Sequence, residues 1–476
     1  MKRFIFIVFC IFLIFSFLFN CNLPMGNSGG GGGGDSDEGS IEENPTSLKP
    51  WAWISGNDSV NQQGRYGTKG TPDLANIPGA RNSCITWIDS SGNLWLFGGY
   101  GLDDWGSVGN LNDLWKFDGI NWTWISGNNF RNHAGTYGTK GTPDPSNIPG
   151  ARYESISWID SSNNLWLFGG TYYNDSSDIF YYFNDLWKFD GTNWTWVSGS
   201  NIEDEMGIYG TKGNPDPANI PGARSAGISW IDSSGNFWLF GGIGFDSLGG
   251  LWGYLNDLWK FDGTNWTWVS GSDIIDQIGN YGIKGIPDAT NIPGSRWGSI
   301  SWIDSSGNLW LFGGYGYDSP GDSDKLNDLW KFDGINWTWI SGSNIINKNG
   351  IYGTMGNPDS ANIPGSRWGS ISWIDSSGNL WLFGGCGYDS VGNENYLNDL
   401  WKFDGSNWIW MAGSTKTNQK GYYGTKGTSN TTNVPGARTY SISWIDSSGN
   451  LWLFGGSGDD SAGNLGFLND LWKCEL

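Results

Sequence analysis

The chain carries a single histidine, His133, in 476 residues, with only five cysteines and five methionines. One imidazole is too few for a copper or zinc centre built on histidines, and no convergent Ser-His-Asp set surrounds it. The cysteines make no disulfide framework, because Cys10 and Cys21 stand near the N-terminus and Cys84, Cys386 and Cys474 are scattered. Basic residues are scarce as well, 26 against 47 acidic ones for a net charge of -21, which repels a phosphate backbone and excludes nucleic acid as a partner. Helical apolar spacing is missing throughout. The longest apolar run, Phe4 to Phe19, is short for a membrane span of ~20 residues.

What the chain does have is repetition. Six near-copies of one segment of 71 or 72 residues run from Trp51 to the C-terminus, marked by glycine pairs at 98/99, 169/170, 241/242, 313/314, 384/385 and 455/456. A period of this kind means stacked supersecondary units that bury their faces against one another. Within one copy four strands are expected: a from Arg81 to Asp89, b from Asn93 to Gly99, c from Leu111 to Asp118 and d from Asn121 to Gly127. Strand b (Leu94, Trp95, Leu96, Phe97) is apolar on both faces, which suits a sheet stacked between neighbours. Each copy therefore reads as a propeller blade. The last copy stops after strand c, while Trp51-Ala-Trp53 matches Trp122-Thr-Trp124, so the N-terminal segment is expected to supply the missing outer strand and leave no open edge.

These residues resemble the kelch repeat family and its galactose-oxidase-like central-domain relatives. The resemblance rests on the double glycine ending strand b, on the strand c tryptophans (Trp115, Trp187, Trp259, Trp330, Trp401, Trp472), and on a Trp seven residues further on (Trp122, Trp194, Trp266, Trp337, Trp408). It covers roughly Trp51 to Leu476 and implies an all-β, six-bladed kelch-type β-propeller with four strands per blade, spanning residues 49–476. The chain departs from the common kelch pattern by using Trp where Tyr is usual in strand c and by its longer d-to-a connection. None of the oxidase's metal ligands has a counterpart here, so the chain is read as needing no metal and no cofactor, and copper chemistry is not expected. Five repeated positions hold 30 of the 34 tryptophans and are assigned to the core.

Lys2-Arg3, the apolar run and Cys21 have the layout of an export signal over residues 1–21. Leu18-Phe19-Asn20-Cys21 resembles a bacterial lipoprotein signal with Cys21 as the lipidated residue, although Asn20 stands where Gly, Ala or Ser is usual. Residues 22–48, with six consecutive glycines from Gly29 to Gly34 and an acidic stretch, read as a flexible tether. The expected location is the outer membrane or cell surface through a lipid anchor, or alternatively the secreted pool, and the head is expected to be a monomer.

In a near-symmetric ring, function resides where the copies differ. The b-to-c and d-to-a connections emerge on one face and vary most. Trp105 and Trp252 lie in b-to-c loops, Trp297 and Trp368 follow the arginine that opens strand a, and Tyr153 and Tyr440 occupy the same strand opening. Exposed aromatics of this kind either stack on a carbohydrate, serve a protein interface, or pack the long loops. Arg81, Arg152, Arg224, Arg296, Arg367 and Arg438 would ring one mouth of the channel and either hold an acidic ligand or pair with a repeated Asp; the resemblance adds that arginines near this position serve kelch domains that bind peptides. A weak calcium pattern runs from Asp318 to Asp324. The expected role is a non-catalytic recognition module for an extracellular protein or glycan, the alternative a carbohydrate-active enzyme that does not depend on copper.

Overall fold

The computed structural model describes residues 50–475. The segment read as an export signal, Cys21 and the whole of the segment read as a tether, residues 22–48, lie outside them. The described chain folds into seven antiparallel sheets, six of them the blades of a six-bladed propeller and the seventh a two-stranded ribbon. In blade 1, Trp122–Ser126 is outermost, followed by Val108–Phe117, Leu94–Leu102 and the inner strand. Inner strands of neighbouring blades touch all the way round, including the last with the first. The N-terminal strand Ala52–Ser55 pairs antiparallel with Leu465–Glu475, Ala52 opposite Lys473, and completes blade 6 as expected.

Two features of the blade differ from the four-strand reading. The inner strand is two pieces, Arg81–Asn82 and Ile85–Ile88, because Ser83 takes a left-handed backbone (φ 53°) that breaks the pleat. Strands b and c are also longer than expected. They continue past the glycine pair to Leu102 and start at Val108, so most of the region read as a b-to-c loop is hairpin. The glycine pair sits at a bulge in that hairpin. Gly98 and Gly99 have φ of 65° and 99°, and a Cβ on Gly98 would fall 2.7 Å from the Arg152 carbonyl of the next blade. Gly99 N–H donates to that same carbonyl at 2.9 Å. Blade 2 varies the theme, its hairpin split into Leu165–Phe168 and a separate ribbon, Thr171–Asn174 with Ile179–Tyr182.

The core lies between blades, as two-faced apolar strands require. Trp87, Trp95 and Phe97 of blade 1 pack with Leu165, Leu167, Trp187 and Trp194 of blade 2. The same layer joins Trp444, Trp452 and Phe454 of blade 6 to Leu96, Trp115 and Phe117 of blade 1. At the a-to-b turn, Asp89 accepts from the backbone of Ser91 and Asn93, from the Asn93 amide and from the Trp95 indole. Burial works to raise this carboxyl, but those donors outweigh it and hold it below its ordinary range.

A polar network repeats inside every blade. Arg81 donates through Nε to the Gly79 carbonyl, through Nη1 to the Gly98 carbonyl, and through both Nη atoms to Asp113 at 2.7 Å. Asp113 Oδ2 also accepts from the Trp115 indole (2.7 Å) and from the Tyr66 hydroxyl (2.6 Å). The other five copies pair Arg152 with Asp185, Arg224 with Asp257, Arg296 with Asp328, Arg367 with Asp399 and Arg438 with Asp470.

Arg81→Met leaves the Asp113 carboxylate buried without its counter-ion and is expected to lower stability by about 3–5 kcal/mol, whereas Arg81→Met/Asp113→Leu should recover much of that loss. Denaturant unfolding of both variants checks this, and a single variant as stable as the native chain would contradict it. Deleting residues 49–56 removes the strand that closes blade 6 and is expected to lower the melting temperature sharply; an unchanged melting curve would show that closure contributes nothing to stability.

Candidate functional site

The strand break that follows each arginine places one residue per blade at the propeller axis. Ser83, Glu154, Ala226, Gly298, Gly369 and Tyr440 all have positive φ, from 51° to 64°. Their backbones form a closed circle of hydrogen bonds. Each N–H donates to the carbonyl of its counterpart in the preceding blade: Glu154 to Ser83 (3.0 Å), Ala226 to Glu154 (2.9 Å), Gly298 to Ala226 (3.1 Å), Gly369 to Gly298 (2.9 Å) and Tyr440 to Gly369 (2.8 Å). Ser83 closes the circle by donating to Tyr440 at 3.1 Å. The backbone of this ring is nearly symmetric, but its side chains are not.

Above the ring lies a recess of about 100 Å3 lined by Tyr153, Glu154, Tyr182, Trp297, Trp368 and Tyr440, with Phe180, Thr171, Ser225 and Ile243 completing the wall. Trp297 and Trp368 meet at 5.0 Å between ring centroids with planes 49° apart, and Trp368 meets Tyr440 at 5.3 Å and 59°. A Cβ on Gly298 would make ordinary contact with the Tyr440 hydroxyl at 3.4 Å, whereas one on Gly369 would clash with Thr439 Oγ1. Tyr440 of blade 6 thus lies over blade 5 and reaches towards blade 4.

Glu154 is the one charged residue of the recess lining. It accepts from Ser225 Oγ at 3.1 Å. The Tyr440 hydroxyl influences its carboxyl without making a hydrogen bond of good geometry. Burial pushes the Glu154 carboxyl from its ordinary 4.5 up to about 7, and the hydrogen-bond donors only partly offset this. Burial also raises the Tyr153 and Tyr440 hydroxyls well above their ordinary value. A second raised carboxyl, Asp459 in the blade 6 hairpin, is likewise moved to about 7 by burial, with Arg438 pulling the other way.

The structure brings Tyr153, Trp297, Trp368 and Tyr440 together and sets Trp252 at their rim, 6.2 Å from Tyr182. Trp105 lies apart. It is 72% exposed, stacked on Phe130 at 5.9 Å, and borders a separate groove of about 870 Å3 beside Asn61 and Gln63. The six arginines do not face the recess. Their side chains are 0–1% exposed, because each turns into its own blade to meet the strand c aspartate. Of the two options open to them, the structure shows the Asp pairing. Asp318 is similarly occupied: Oδ1 accepts from the backbone of Gly321 and Asp322, and Oδ2 from Ile346 N–H. Among the described residues no group of three or more His, Cys, Asp or Glu is placed to hold a metal ion.

Glu154 escapes a reading that looks for repeated acids or exposed aromatics. Its signal is its repeat position, where the other copies carry Ser, Ala, Gly, Gly and Tyr. Tyr182 and Phe180 escape for another reason: only the blade 2 ribbon folds them back over the axis.

No protein-family model matches the sequence, and no curated protein does. Among solved structures, the chain is similar to YjhT at 15% identity and a TM-score of 0.45, over 85% of this chain and 95% of that one. It is also similar to a fungal alcohol oxidase of the AA5 family in complex with copper, at 12% identity and a TM-score of 0.43, over 86% of this chain and 76% of that one.

The raised carboxyls have a consequence for stability. A folded state that holds a proton on Glu154 up to about pH 7, where the unfolded chain releases it near 4.5, loses that contribution as pH rises through the interval. Glu154→Gln is therefore expected to melt higher than the native chain above about pH 8 and to show little difference near pH 5. Thermal melts at the two pH values check this, and a constant offset between variant and native chain would refute it.

Proposed function

We propose that the chain is an exported, lipid-anchored recognition module whose propeller presents the axial recess to an extracellular protein or glycan. The observation that carries this reading is the convergence of aromatic side chains from blades 2, 4, 5 and 6 on one small recess. Large aromatics in a concave site are the residues that anchor one group of a larger ligand. The N-terminal pattern supports presentation outside the cell. Lys2-Arg3, the apolar run and Cys21 fit a lipoprotein-type signal, and the glycine run supplies slack between lipid and propeller. The ligand group enters from the face that carries the hairpin ends and the long connections. There Asp103 accepts from Arg131 N–H and Asn132 N–H donates to the Asn110 carbonyl, which fixes connection to hairpin.

Glu154 favours one second reading. A lone carboxyl held near neutrality among tyrosines is suited to general acid or base work on a bound glycan. Turnover of a bound ligand that disappears in Glu154→Gln while binding persists would select this enzyme over the binder.

The test is the full chain on a glycan array and a panel of extracellular-matrix proteins, alongside Trp297→Ala/Trp368→Ala and the distant control Trp105→Ala. Selective binding kept by Trp105→Ala and lost by the double variant, whose circular dichroism spectrum stays native at the assay temperature although it melts lower, is the expected result. Absence of binding by the native chain, or binding indifferent to the double substitution, would reject the axial recess as a recognition site.

A further inference from the structure

The recess combines three properties that narrow what it can hold. Its walls are rings inclined to one another, 49° between Trp297 and Trp368 and 59° between Trp368 and Tyr440, so a flat sugar face cannot lie against them together. Its volume of about 100 Å3 is far below the ~300–1,000 Å3 of sites for drug-sized ligands, which leaves room for a few heavy atoms. Its one charged lining group is a carboxyl, Glu154, with no Lys, Arg or His in the wall. The arginines that could have favoured an anion are neutralised inside the blades by their aspartates. The chain as a whole is strongly acidic, so its field draws cations towards any open cleft.

Inclined aromatic faces around a small volume, with a carboxylate at the floor, suit a compact cation that is too weakly hydrated to resist leaving water. The faces of Trp and Tyr carry negative charge density and attract such a group, Trp most strongly. We propose that the axial recess binds a small methylated ammonium group, with Trp297, Trp368, Tyr153 and Tyr440 as the cage and Glu154 as the counter-ion. This rests on the recognition reading and names the chemistry of the group recognised. A bare primary ammonium would be the poorer ligand. Its charge is concentrated on N–H groups that water holds strongly, so it gives up more hydration on entering and gains less from the aromatic faces than a methylated group does.

Binding should be linked to pH through the counter-ion. The groups facing Glu154 are Ser225 from blade 3, Tyr440 from blade 6, and Tyr153 and Tyr182 from its own blade, with Asp204 beyond Tyr182. All three tyrosines are pushed upward, chiefly by burial, and stay neutral at ordinary pH. The charge that changes in the recess between mildly acidic and mildly basic solution is therefore that of Glu154, which a bound cation would hold ionised.

The experiment is isothermal titration of the full chain with choline chloride and with its neutral isostere 3,3-dimethylbutan-1-ol. Choline is expected to bind at least about tenfold more tightly than the isostere at about pH 8.5, and to weaken by a similar factor at about pH 5.5. Glu154→Gln should bind choline equally at both pH values and at the weak level. The isostere competing equally, choline failing to bind at millimolar concentrations, or Glu154→Gln matching the native chain would each overturn the proposal. Binding on the glycan or matrix panel that depends on Trp297 and Trp368 while choline fails would sink only the ammonium assignment. Failure in both experiments would remove the recognition reading with it.

Discussion

Each blade is organised round one buried, bidentate Arg–Asp pair. The pair joins the opening of the inner strand to the third strand, the arginine ties down the bulge at the glycine pair, and the aspartate collects a tryptophan from its own strand and a tyrosine from the connection that precedes the blade. Two full charges in so dry a place are tolerable only when they are paired and well hydrogen-bonded, and here the guanidinium makes four hydrogen bonds and the carboxylate accepts four. Burial acts against the charge of Arg81, yet Asp113 outweighs it and keeps the guanidinium above its ordinary value. The direction of the chain before and after Arg81 is thereby set, including the left-handed turn at Ser83 that sends the backbone to the axis.

At that axis a closed circle of backbone hydrogen bonds joins all six blades. Side chains there are consequently free to diverge, and they do. Ser83 and Ala226 are small, Gly298 and Gly369 have no side chain, and Tyr440 and Glu154 both line the recess. The centre is asymmetric on a symmetric scaffold: the shared network supplies rigidity, and residues at and beside the ring position vary while the blade cores stay the same.

Much of this was legible in the chain. The 71- or 72-residue period, the two-faced strand Leu94 to Phe97 and the match of Trp51 and Trp53 to Trp122 and Trp124 are enough to expect six blades and their closure, since stacked sheets demand apolar residues on both faces. Tyr153, Trp297, Trp368 and Tyr440 stand out as departures from the repeat, and they do meet. The arginines read equally well as a ligand ring or as structural partners of the repeated Asp. Composition cannot tell which way a guanidinium turns, and the structure turns each one into its own blade to meet the strand c aspartate. The hairpins extending to Leu102 and from Val108 were hidden because glycine and variable polar residues carry no strand signal, whereas pairing across the bulge makes strand of them.

Sequence by itself determined the repeat, the blade and the closure, because period and two-faced hydrophobicity are local properties that each copy states again. Its single histidine leaves no set of histidine ligands. Only the tertiary structure decided that Glu154, Tyr182, Trp297, Trp368 and Tyr440, drawn from four of the six blades, share one recess, and that the arginines do not. The physical reason is that the recess exists only once the ring of inner strands closes. Its members are distant in the chain, and the left-handed turn that aims them at the axis is held by contacts between blades rather than by the residues themselves.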